Sequence, residues 1–477
     1  MHIQTGHILP TVRIKELHLE NFKSIHKGDI VFNCGRNAIP MDTESDILGI
    51  YGQNGTGKTS VIEALSIIKR AMGGQPIPDR YSECIRKGAE YAKINVVFDF
   101  QYPYEIIVTK TVCYSLKIKA VPSDLEPDPD DPAAALLKYP MRVEIYDEVI
   151  SASGRFNGED QDMWPILTTS REGFPIGPTR KTKYFIGSNA SKVQIDLGVC
   201  QKTASKESKS FIFSYETMEL FYQNSNYSEY FQVLMELQNY ACIYLYAIDT
   251  RLARAGTIPS VSFNTRYGIL TLRLLGSTRM YDSVYRDLQY FVDAINSVLP
   301  SLVKDMTLVI DATPYTSEKQ NGQEVRLFSK RDGIVIPLRD ESAGIIKLVG
   351  VLSLIIAAFN DCSVTVAVDE LDAGVYEYLL GEILTGLETY GKGQFIFTSH
   401  NLRPLEVLKK ENLVFSTSNP DNRFIRLKGV GKTNNLRSLY LREILGDTQD
   451  EQIYDAAKRQ RMIASFVKAG VGFAEEK

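Results

Sequence analysis

Eight residues near the N-terminus have the types and spacing of a phosphate-binding loop. Residues 52–59 read Gly-Gln-Asn-Gly-Thr-Gly-Lys-Thr and fit the Walker A pattern G-x-x-x-x-G-K-[ST]. Glycines let successive backbone N–H groups point into one concavity, where a side chain would block the phosphates. In this pattern Lys58 places a cation against the β- and γ-phosphates, and Thr59 offers its hydroxyl to Mg²⁺. The loop therefore predicts a site for ATP and Mg²⁺. The predicted nucleotide-binding residues of the loop are Gly52, Gln53, Asn54, Gly55, Thr56, Gly57, Lys58, Thr59 and Ser60.

The residues on either side of this loop supply the strand and the helix that it needs. Residues 47–51 read as a short buried strand, and residues 60–68 place apolar side chains at helical spacing. The N-terminus of such a helix adds the positive end of its dipole to the phosphate site. A glycine turn without a ligand is the alternative, and the agreement of spacing with context favours the phosphate site.

Two carboxylates follow a second apolar strand late in the chain. Residues 364–368 (Val-Thr-Val-Ala-Val) lead directly into Asp369 and Glu370, which is the form of a Walker B segment. Carboxylates at the end of a buried strand need a partner, because an unpaired buried charge is costly. We predict that Asp369 holds Mg²⁺ and that Glu370 orients and deprotonates the attacking water. A surface turn with two acids is the alternative.

Two further segments place polar residues where a helix begins or a strand ends. Ser342 and Gly344 open a long apolar helix, where a hydroxyl, backbone N–H groups and the helix dipole can face an anion. Taken alone, this serine is also explained as a plain helix cap. His400 follows the apolar strand at residues 394–397. It is predicted to reach the γ-phosphate, with a capping role as the alternative.

The overall composition is that of a water-soluble globular protein. The 477 residues suggest two or three structural units, with 44% hydrophobic residues, 23% charged residues and a net charge of −4. Six scattered cysteines and five histidines argue against a zinc site and for reduced thiols. Residues 1–10 do not resemble a signal peptide, and the longest apolar run, residues 348–359, is too short to span a bilayer. We therefore expect a cytoplasmic protein.

The segments between the motifs predict the rest of the organisation. A proline-rich acidic run at residues 122–132 predicts a linker or an exposed loop. Residues 214–241 predict a helix rich in aromatic side chains, for which ordinary packing is favoured over base stacking. A further helix is predicted at residues 279–299, and Asp332-Gly333 predicts the turn of a hairpin.

In their order along the chain, these motifs resemble the ABC-type ATPases that include RecF, the SMC proteins and the OLD-family ATPases. The series is Walker A, Ser-x-Gly at a helix start, Asp-Glu at a strand end and Thr-Ser-His-Asn at the next. The single-chain AAA-type ATPases of bacterial phage-defence operons, such as the Septu and PARIS systems, look closest. They have stretches similar to residues 19–25 (Leu-Glu-Asn-Phe-Lys-Ser-Ile) and 341–344 (Glu-Ser-Ala-Gly). The resemblance covers roughly residues 12–100 and 324–445.

The resemblance implies an α/β fold: a P-loop NTPase of ABC-ATPase type with a mixed sheet core and an inserted helical and β region. It divides the chain into an N-terminal lobe of the ATPase head (1–120), an inserted region (121–304) and a C-terminal lobe (305–477). In such proteins two heads sandwich two ATP molecules. Ser342 and Gly344 would then touch the γ-phosphate held by the partner, and His400 would be the switch histidine.

The chain departs from these families in places. Residues 373–376 (Ala-Gly-Val-Tyr) lack the histidine or aspartate that many relatives have after the Walker B acids. Gln101 is the one candidate for a Q-loop glutamine. No long heptad array predicts a coiled-coil arm. The segment after His400 is too short for the nuclease domain of OLD proteins, so we expect any effector to be a separate polypeptide.

Three functional hypotheses follow. The resemblance favours an ATP-hydrolysing sensor or regulator of an anti-phage defence system that acts with a separate effector such as a nuclease. The alternative is a RecF-like DNA repair ATPase that clamps DNA between dimerised heads. A module that binds ATP without turnover is disfavoured by Glu370. The expected partners are a second copy of the chain in a dimer or higher oligomer, an effector protein and, as a further candidate, DNA; no membrane is expected.

Overall fold

The computed structural model of the chain describes residues 9–32, 45–103, 109–123, 141–171, 173–177, 179–187, 190–248, 260–265, 268–316, 321–427, 436–446, 451, 465–466 and 468. The strands within these residues are β1 (Thr11–Phe22), β2 (Ile25–Val31), β3 (Asp46–Gly52), β4 (Ala92–Gln101), β5 (Lys110–Pro122), β6 (Met141–Phe156), β7 (Glu159–Thr168), β8 (Leu245–Ile248), β9 (Ser260–Thr265), β10 (Gly268–Arg273), β11 (Thr278–Tyr281), β12 (Thr307–Thr316), β13 (Asn321–Arg331), β14 (Ile334–Pro337), β15 (Thr365–Val368), β16 (Gln394–Thr398), β17 (Leu413–Ser416) and β18 (Phe424–Ile425). The α-helices are α1 (Lys58–Met72), α2 (Lys183–Ile186), α3 (Ala190–Lys206), α4 (Tyr215–Asn224), α5 (Glu229–Asn239), α6 (Asp282–Leu302), α7 (Ala343–Asn360), α8 (Glu377–Tyr390), α9 (Pro404–Val407) and α10 (Leu436–Gly446).

The central sheet places the predicted motifs at one edge. Its six strands follow the order β18-β17-β3-β16-β15-β8, and every neighbouring pair is parallel except β17 and β18. β3 and β15 are buried along their whole length, as strands covered on both faces of a parallel sheet are. Because parallel strands end at the same edge, the loops that follow β3, β15 and β16 meet there. Those loops carry the Walker A residues, the Walker B acids and His400.

A second sheet of six strands, in the order β2-β1-β4-β5-β6-β7, is antiparallel throughout. Side chains of its strands alternate between buried and partly exposed, as in β5, where Val112, Tyr114, Leu116 and Ile118 point inward. They share one core with α1 and with central-sheet residues such as Leu48 and Ile396. Helix α1 is therefore held between the two sheets, and the Walker A loop at its N-terminus is fixed from both sides.

Helix α7 packs between two further cores. Val351 and Leu354 contribute to the core on the other face of the central sheet. Val349 and Leu352 contribute to a core with α6 and the sheet that β11, β12, β13 and β14 form. Among the described residues, α7 alone is long and apolar enough to cross a membrane. Its packing in two cores explains that composition, as predicted for the run at residues 348–359.

The structure confirms some local predictions and changes others. The hairpin turn is present: Asp332 (φ 49°) and Gly333 (φ 79°) join β13 to β14. The helix predicted at 279–299 is α6. The single helix predicted at 214–241 is wrong, since α4 ends before Ser225 and α5 begins after Ser228, which caps it. Asn226 and Tyr227 between them have positive φ, which a continuous right-handed helix excludes.

The division at residues 120 and 304 remains a prediction, to which the structure adds two observations. Residue 121 lies inside β5, and β6 and β7 continue the antiparallel sheet that β5 belongs to. β8 pairs with β15, the strand that precedes the Walker B acids. The region predicted as an insertion thus supplies strands to both sheets of the head. Most of the acidic run at 122–132 lies outside the described residues.

Candidate active site

The Walker A loop has the backbone that its glycines were predicted to provide. Gly52 has a φ of 144°, and a β-carbon there would lie 2.0 Å from Oγ of Ser416 on β17. Gly57 has a φ of 92° and begins α1 from the left-handed region, which favours glycine. The hydroxyl of Thr56 lies 2.5 Å from that of Ser416, which ties the loop to the neighbouring strand. The remaining predicted contacts in the loop and the first turn of α1 are Gln53, Asn54, Gly55 and Ser60.

Lys58 lies folded over the loop. Its Nζ donates to the carbonyl oxygens of Gly52 at 2.7 Å and Gln53 at 3.0 Å. Burial lowers the pKa of Lys58 to about 8, because removing an ammonium from water disfavours its charged form. The carboxylates that oppose this shift are Asp369, Asp372 and Glu370. The predicted phosphate-binding cation and the predicted Walker B acids are therefore electrostatically coupled in one site.

The two residues predicted to hold Mg²⁺ are in direct contact. Oγ1 of Thr59 donates to Oδ1 of Asp369 at 3.2 Å, although the two residues lie on different elements. Oγ1 of Thr398, at the end of β16, donates to the same oxygen at 2.6 Å, and Asp369 is 1% exposed. A hydroxyl beside a carboxylate is an oxygen donor set of the kind that Mg²⁺ prefers. The chemistry of Thr59 and Asp369 fits the predicted metal.

Glu370 holds a conformation that few residues other than glycine adopt. Its φ is 47°, in the left-handed region, and such strain persists where surrounding contacts enforce it. Its N–H donates to Oγ1 of Thr398 at 2.7 Å, and the N–H of Leu371 donates to the Thr398 carbonyl at 2.9 Å. On the other side, Nζ of Lys347 donates to the carbonyl oxygen of Glu370. The backbone of the predicted base is thus fixed from β16 and from α7.

His400 faces the same charges as Lys58. Burial and the nearby Lys58 cation lower its pKa, and Asp372, Glu370 and Asp369 partly oppose that shift. The neutral imidazole is favoured at neutral pH, and it can donate one hydrogen bond to a phosphate oxygen. The backbone N–H of His400 donates to the Asp372 carboxylate at 3.1 Å, which holds the loop after β16 against the loop after β15.

The Ser-x-Gly segment lies next to the loop that follows the Walker B acids. The Ser342 hydroxyl accepts from the N–H of Ile345 at 3.3 Å and is exposed, so it is a helix cap at the surface. A β-carbon on Gly344 would lie 1.9 Å from the carbonyl oxygen of Gly374. Packing against Gly374 of the same chain is therefore enough to require glycine at position 344. The roles of Ser342 and Gly344 toward a partner's nucleotide remain predictions.

Gln101 lies at the wrong edge of the molecule for a Q-loop glutamine. It pairs with Thr11 at the start of β1, whereas Ile25, just past the other end of β1, packs against Gly57. The backbone of Ile14 bonds with the side chain of Gln394, where β16 begins. Gln101 therefore lies by the edge where the central strands start, opposite the Walker loops, and the interpretation is wrong.

Sequence reasoning missed two residues of this site. Thr398 was part of a recognised polar strand end, but nothing in one sequence shows that its hydroxyl bridges Asp369 and the Glu370 N–H. Lys347 did carry a signal, since it is the only charged residue in the 18-residue helix α7. A charge in such a helix needs a polar partner, but the sequence does not say which one.

The pKa of Lys58 predicts how nucleotide binding depends on pH. Phosphates favour the protonated lysine, so its pKa in the complex lies above the value of about 8 in the free protein. ATP affinity should be constant well below pH 8 and fall by up to about tenfold per pH unit above it, until the pKa of the complex is reached. Calorimetric Kd values between pH 6.5 and 9.5 would check this. Lys58→Arg, which stays charged, should give a flatter profile. A flat wild-type profile would contradict the role of Lys58 as the binding cation.

Comparison with known proteins gives one family match and several structural similarities. Residues 16–119 match the family model of an AAA domain. No curated protein matches the chain. An SMC head domain with a coiled coil and joint from Pyrococcus yayanosii is 12% identical with a TM-score of 0.40, covering 91% of this chain and 99% of that chain. The SMC head domain of Thermotoga maritima is 13% identical with a TM-score of 0.35, covering 87% and 99%. The recombination mediator protein RecF with ATP is 12% identical with a TM-score of 0.34, covering 83% and 94%.

The fold is α/β with mixed sheets and a P-loop, as predicted, and residues 16–119 match an AAA domain. The AAA match includes the Walker A loop, and the structure joins that loop to Asp369 through Thr59. The chain is an ATPase.

Proposed function

We propose that two copies of this chain pair head to head on ATP, and that the pair acts as the sensor or regulator of an anti-phage defence system with a separate effector. The observation that carries the pairing is the position of Ser342. Its hydroxyl is exposed at the start of α7, while Gly344 in the same turn packs against the loop after Glu370. A second head that docks on this surface would bring its nucleotide to Ser342 and complete two composite sites.

Within each site, different residues have different roles in phosphoryl transfer to water. Lys58 neutralises charge on the β- and γ-phosphates. Thr59 and Asp369 would hold Mg²⁺, which supplies further charge neutralisation when bound. Glu370 accepts the proton of the attacking water, and its fixed backbone keeps the carboxylate in place. Neutral His400 donates a hydrogen bond to the γ-phosphate.

Support for the defence role comes from the resemblance of residues 19–25 and 341–344 to the ATPases of phage-defence operons. The partners proposed on this basis are a second copy of the chain and an effector, in the cytoplasm. The test expresses the chain with its flanking genes in a bacterial host and counts phage plaques. Wild type should protect, and Glu370→Gln should not. An effector should also copurify with the tagged chain.

The same experiment separates this role from the RecF-like alternative. A DNA clamp would bind duplex DNA in the presence of ATP, and its affinity would fall steeply between about 50 and 200 mM salt. Absence of protection together with ATP-dependent, salt-sensitive DNA binding would overturn the defence role and support the alternative. Protection without such DNA binding would exclude the clamp.

A further inference from the structure

Helix α7 connects the Ser-x-Gly segment to the Walker B loop of the same chain through Lys347. This lysine is five residues after Ser342 and is the only charged residue of the helix. Its Nζ donates to the carbonyl oxygen of Glu370. A charge in an otherwise apolar helix needs polar partners, and the carbonyl oxygen of Glu370 is one of them.

A second contact holds the same two segments together. The backbones of Gly344 and Gly374 approach so closely that a β-carbon on Gly374 would lie 2.6 Å from Cα of Gly344. Gly344 is on the first turn of α7, and Gly374 is four residues after Glu370. The start of α7 and the loop after β15 are therefore in contact at two points. A displacement of α7 would act on that loop.

The backbone of Glu370 is where such a displacement would matter. Its N–H is held by Thr398, and its carbonyl oxygen accepts from Lys347 and from the N–H of Ala373 at 3.0 Å. Loss of the Lys347 contact removes the restraint that comes from α7. The carboxylate must align with water and the γ-phosphate, and a misplacement of about 1 Å in such a geometry can cost about 100-fold in rate.

We propose that Lys347 is a positioning residue that couples the Ser342 end of α7 to Glu370 of the same chain. The contact holds the Walker B loop to the start of α7 in each chain and does not require nucleotide on the partner. The test of the chain in which Lys347 acts rests on the proposed pairing of two heads. Lys347 does not enter the chemistry; it fixes the backbone from which Glu370 projects.

The first test separates binding from turnover. Lys347→Met keeps the length of the side chain and removes its charge and its donors. The variant should bind ATP within about twofold of wild type, because Lys347 is outside the phosphate loop, and its kcat should fall about 10- to 100-fold. Lys347→Arg, which retains a cationic donor, should recover part of the loss. Lys330→Met, on an exposed position of β13, is the matched control and should turn over like wild type.

The second test asks in which chain Lys347 acts. Lys347→Met and, separately, Ser342→Arg are mixed with Lys58→Ala under conditions of subunit exchange, and ATP turnover is measured. A mixed dimer of Lys58→Ala with Ser342→Arg contains one site with an intact Walker A loop, an intact Glu370 and an intact partner Ser342, so turnover should return. A mixed dimer of Lys58→Ala with Lys347→Met has a damaged Walker A loop in one site and a misplaced Glu370 in the other. Turnover of the mixture should therefore equal the sum of the turnovers that the same amounts of the two variants give separately.

Several results would overturn the proposal. Wild-type kcat in Lys347→Met, or a loss of ATP binding equal to the loss of kcat, would exclude a positioning role. Recovery of turnover in the Lys347→Met mixture would show that Lys347 acts through its own Ser-x-Gly segment on the nucleotide site of the partner chain. If the Ser342→Arg mixture shows no ATP turnover although mixed dimers form, the proposal that two heads form two independently active composite sites is contradicted. The binding and kcat values of Lys347→Met alone then decide whether it positions Glu370.

Discussion

Replacing Glu370 by glutamine should lower ATP turnover by about 100-fold or more and leave ATP affinity within a few fold of wild type. The amide keeps the size of the side chain but cannot accept the proton of the attacking water, and general bases contribute about 10²- to 10⁴-fold. Lys58 and the loop amides, which are predicted to bind the phosphates, are unchanged. Steady-state kcat and the equilibrium Kd for ATP measure the two quantities separately.

The matched control for this variant is Glu377→Gln. Glu377 is an exposed carboxylate in the first turn of α8, and its loss should leave turnover unchanged. If heads pair on ATP, Glu370→Gln should also accumulate as an ATP-bound dimer, visible by mass measurement with and without ATP. Unchanged turnover in Glu370→Gln would move the base elsewhere, with Asp372 as the next candidate.

Replacing Lys58 by alanine should weaken ATP binding by about 10- to 100-fold and bring turnover to background. Hydrogen bonds to charged groups contribute about 1.5–3 kcal/mol, and this lysine is the cation of the phosphate loop. ATP should raise the melting temperature of wild type, since a ligand that binds only the folded state stabilises it, and should raise that of the variant much less at the same concentration.

Lys58→Met separates this effect from damage to the fold. Burial lowers the pKa of Lys58, so the charged side chain is held in the nucleotide-free protein at a cost in stability. That cost is present in full at pH 7, below the folded pKa, falls as the pH rises from about 8 to the ordinary value of 10.5, and is absent above it. Methionine removes it. The variant should therefore fold normally while binding ATP as weakly as Lys58→Ala, and wild-type turnover in either variant would contradict the Walker A assignment.

The site was largely predictable from sequence because parallel strands bring distant residues to one edge. Apolar runs before residues 52, 369 and 399 identify the strands, and the polar residues after them must then lie together. The order of the strands was not needed for that inference. The same physics shows why Gln101 was misplaced: β4 is antiparallel to β1, so its last residue lies by the edge where the central strands start.

The residues that support the site were harder to predict. β8 is a four-residue strand, too short to show a period, and it joins the central sheet through pairing with β15. The contact of Lys347 with Glu370 and the approach of Gly344 to Gly374 join residues that are 23 and 30 positions apart through tertiary packing. A single sequence marks Lys347 as unusual but does not identify the backbone carbonyl that it contacts.

The central claim is that an active site is completed by Ser342 of a second chain. Ser342 is a better position for the test than Gly344, because any side chain at 344 collides with Gly374 of its own chain. Ser342 is exposed, so Ser342→Arg should cost the isolated head only the capping bond to Ile345, about 1 kcal/mol, while it blocks the partner's γ-phosphate. Lys58→Ala and Ser342→Arg should each be inactive alone.

The decisive measurement is ATP turnover of an equimolar mixture of these two variants, with mixed dimers confirmed by differently tagged chains. Random exchange makes half of the dimers mixed, and each mixed dimer has one intact composite site, so turnover should rise to about a quarter of the wild-type value. A linked dimer with one Glu370→Gln head shows separately whether a single intact site can hydrolyse ATP. If that linked dimer is active and the mixture of confirmed dimers stays at background, Ser342 does not complete the partner's site and the account is wrong.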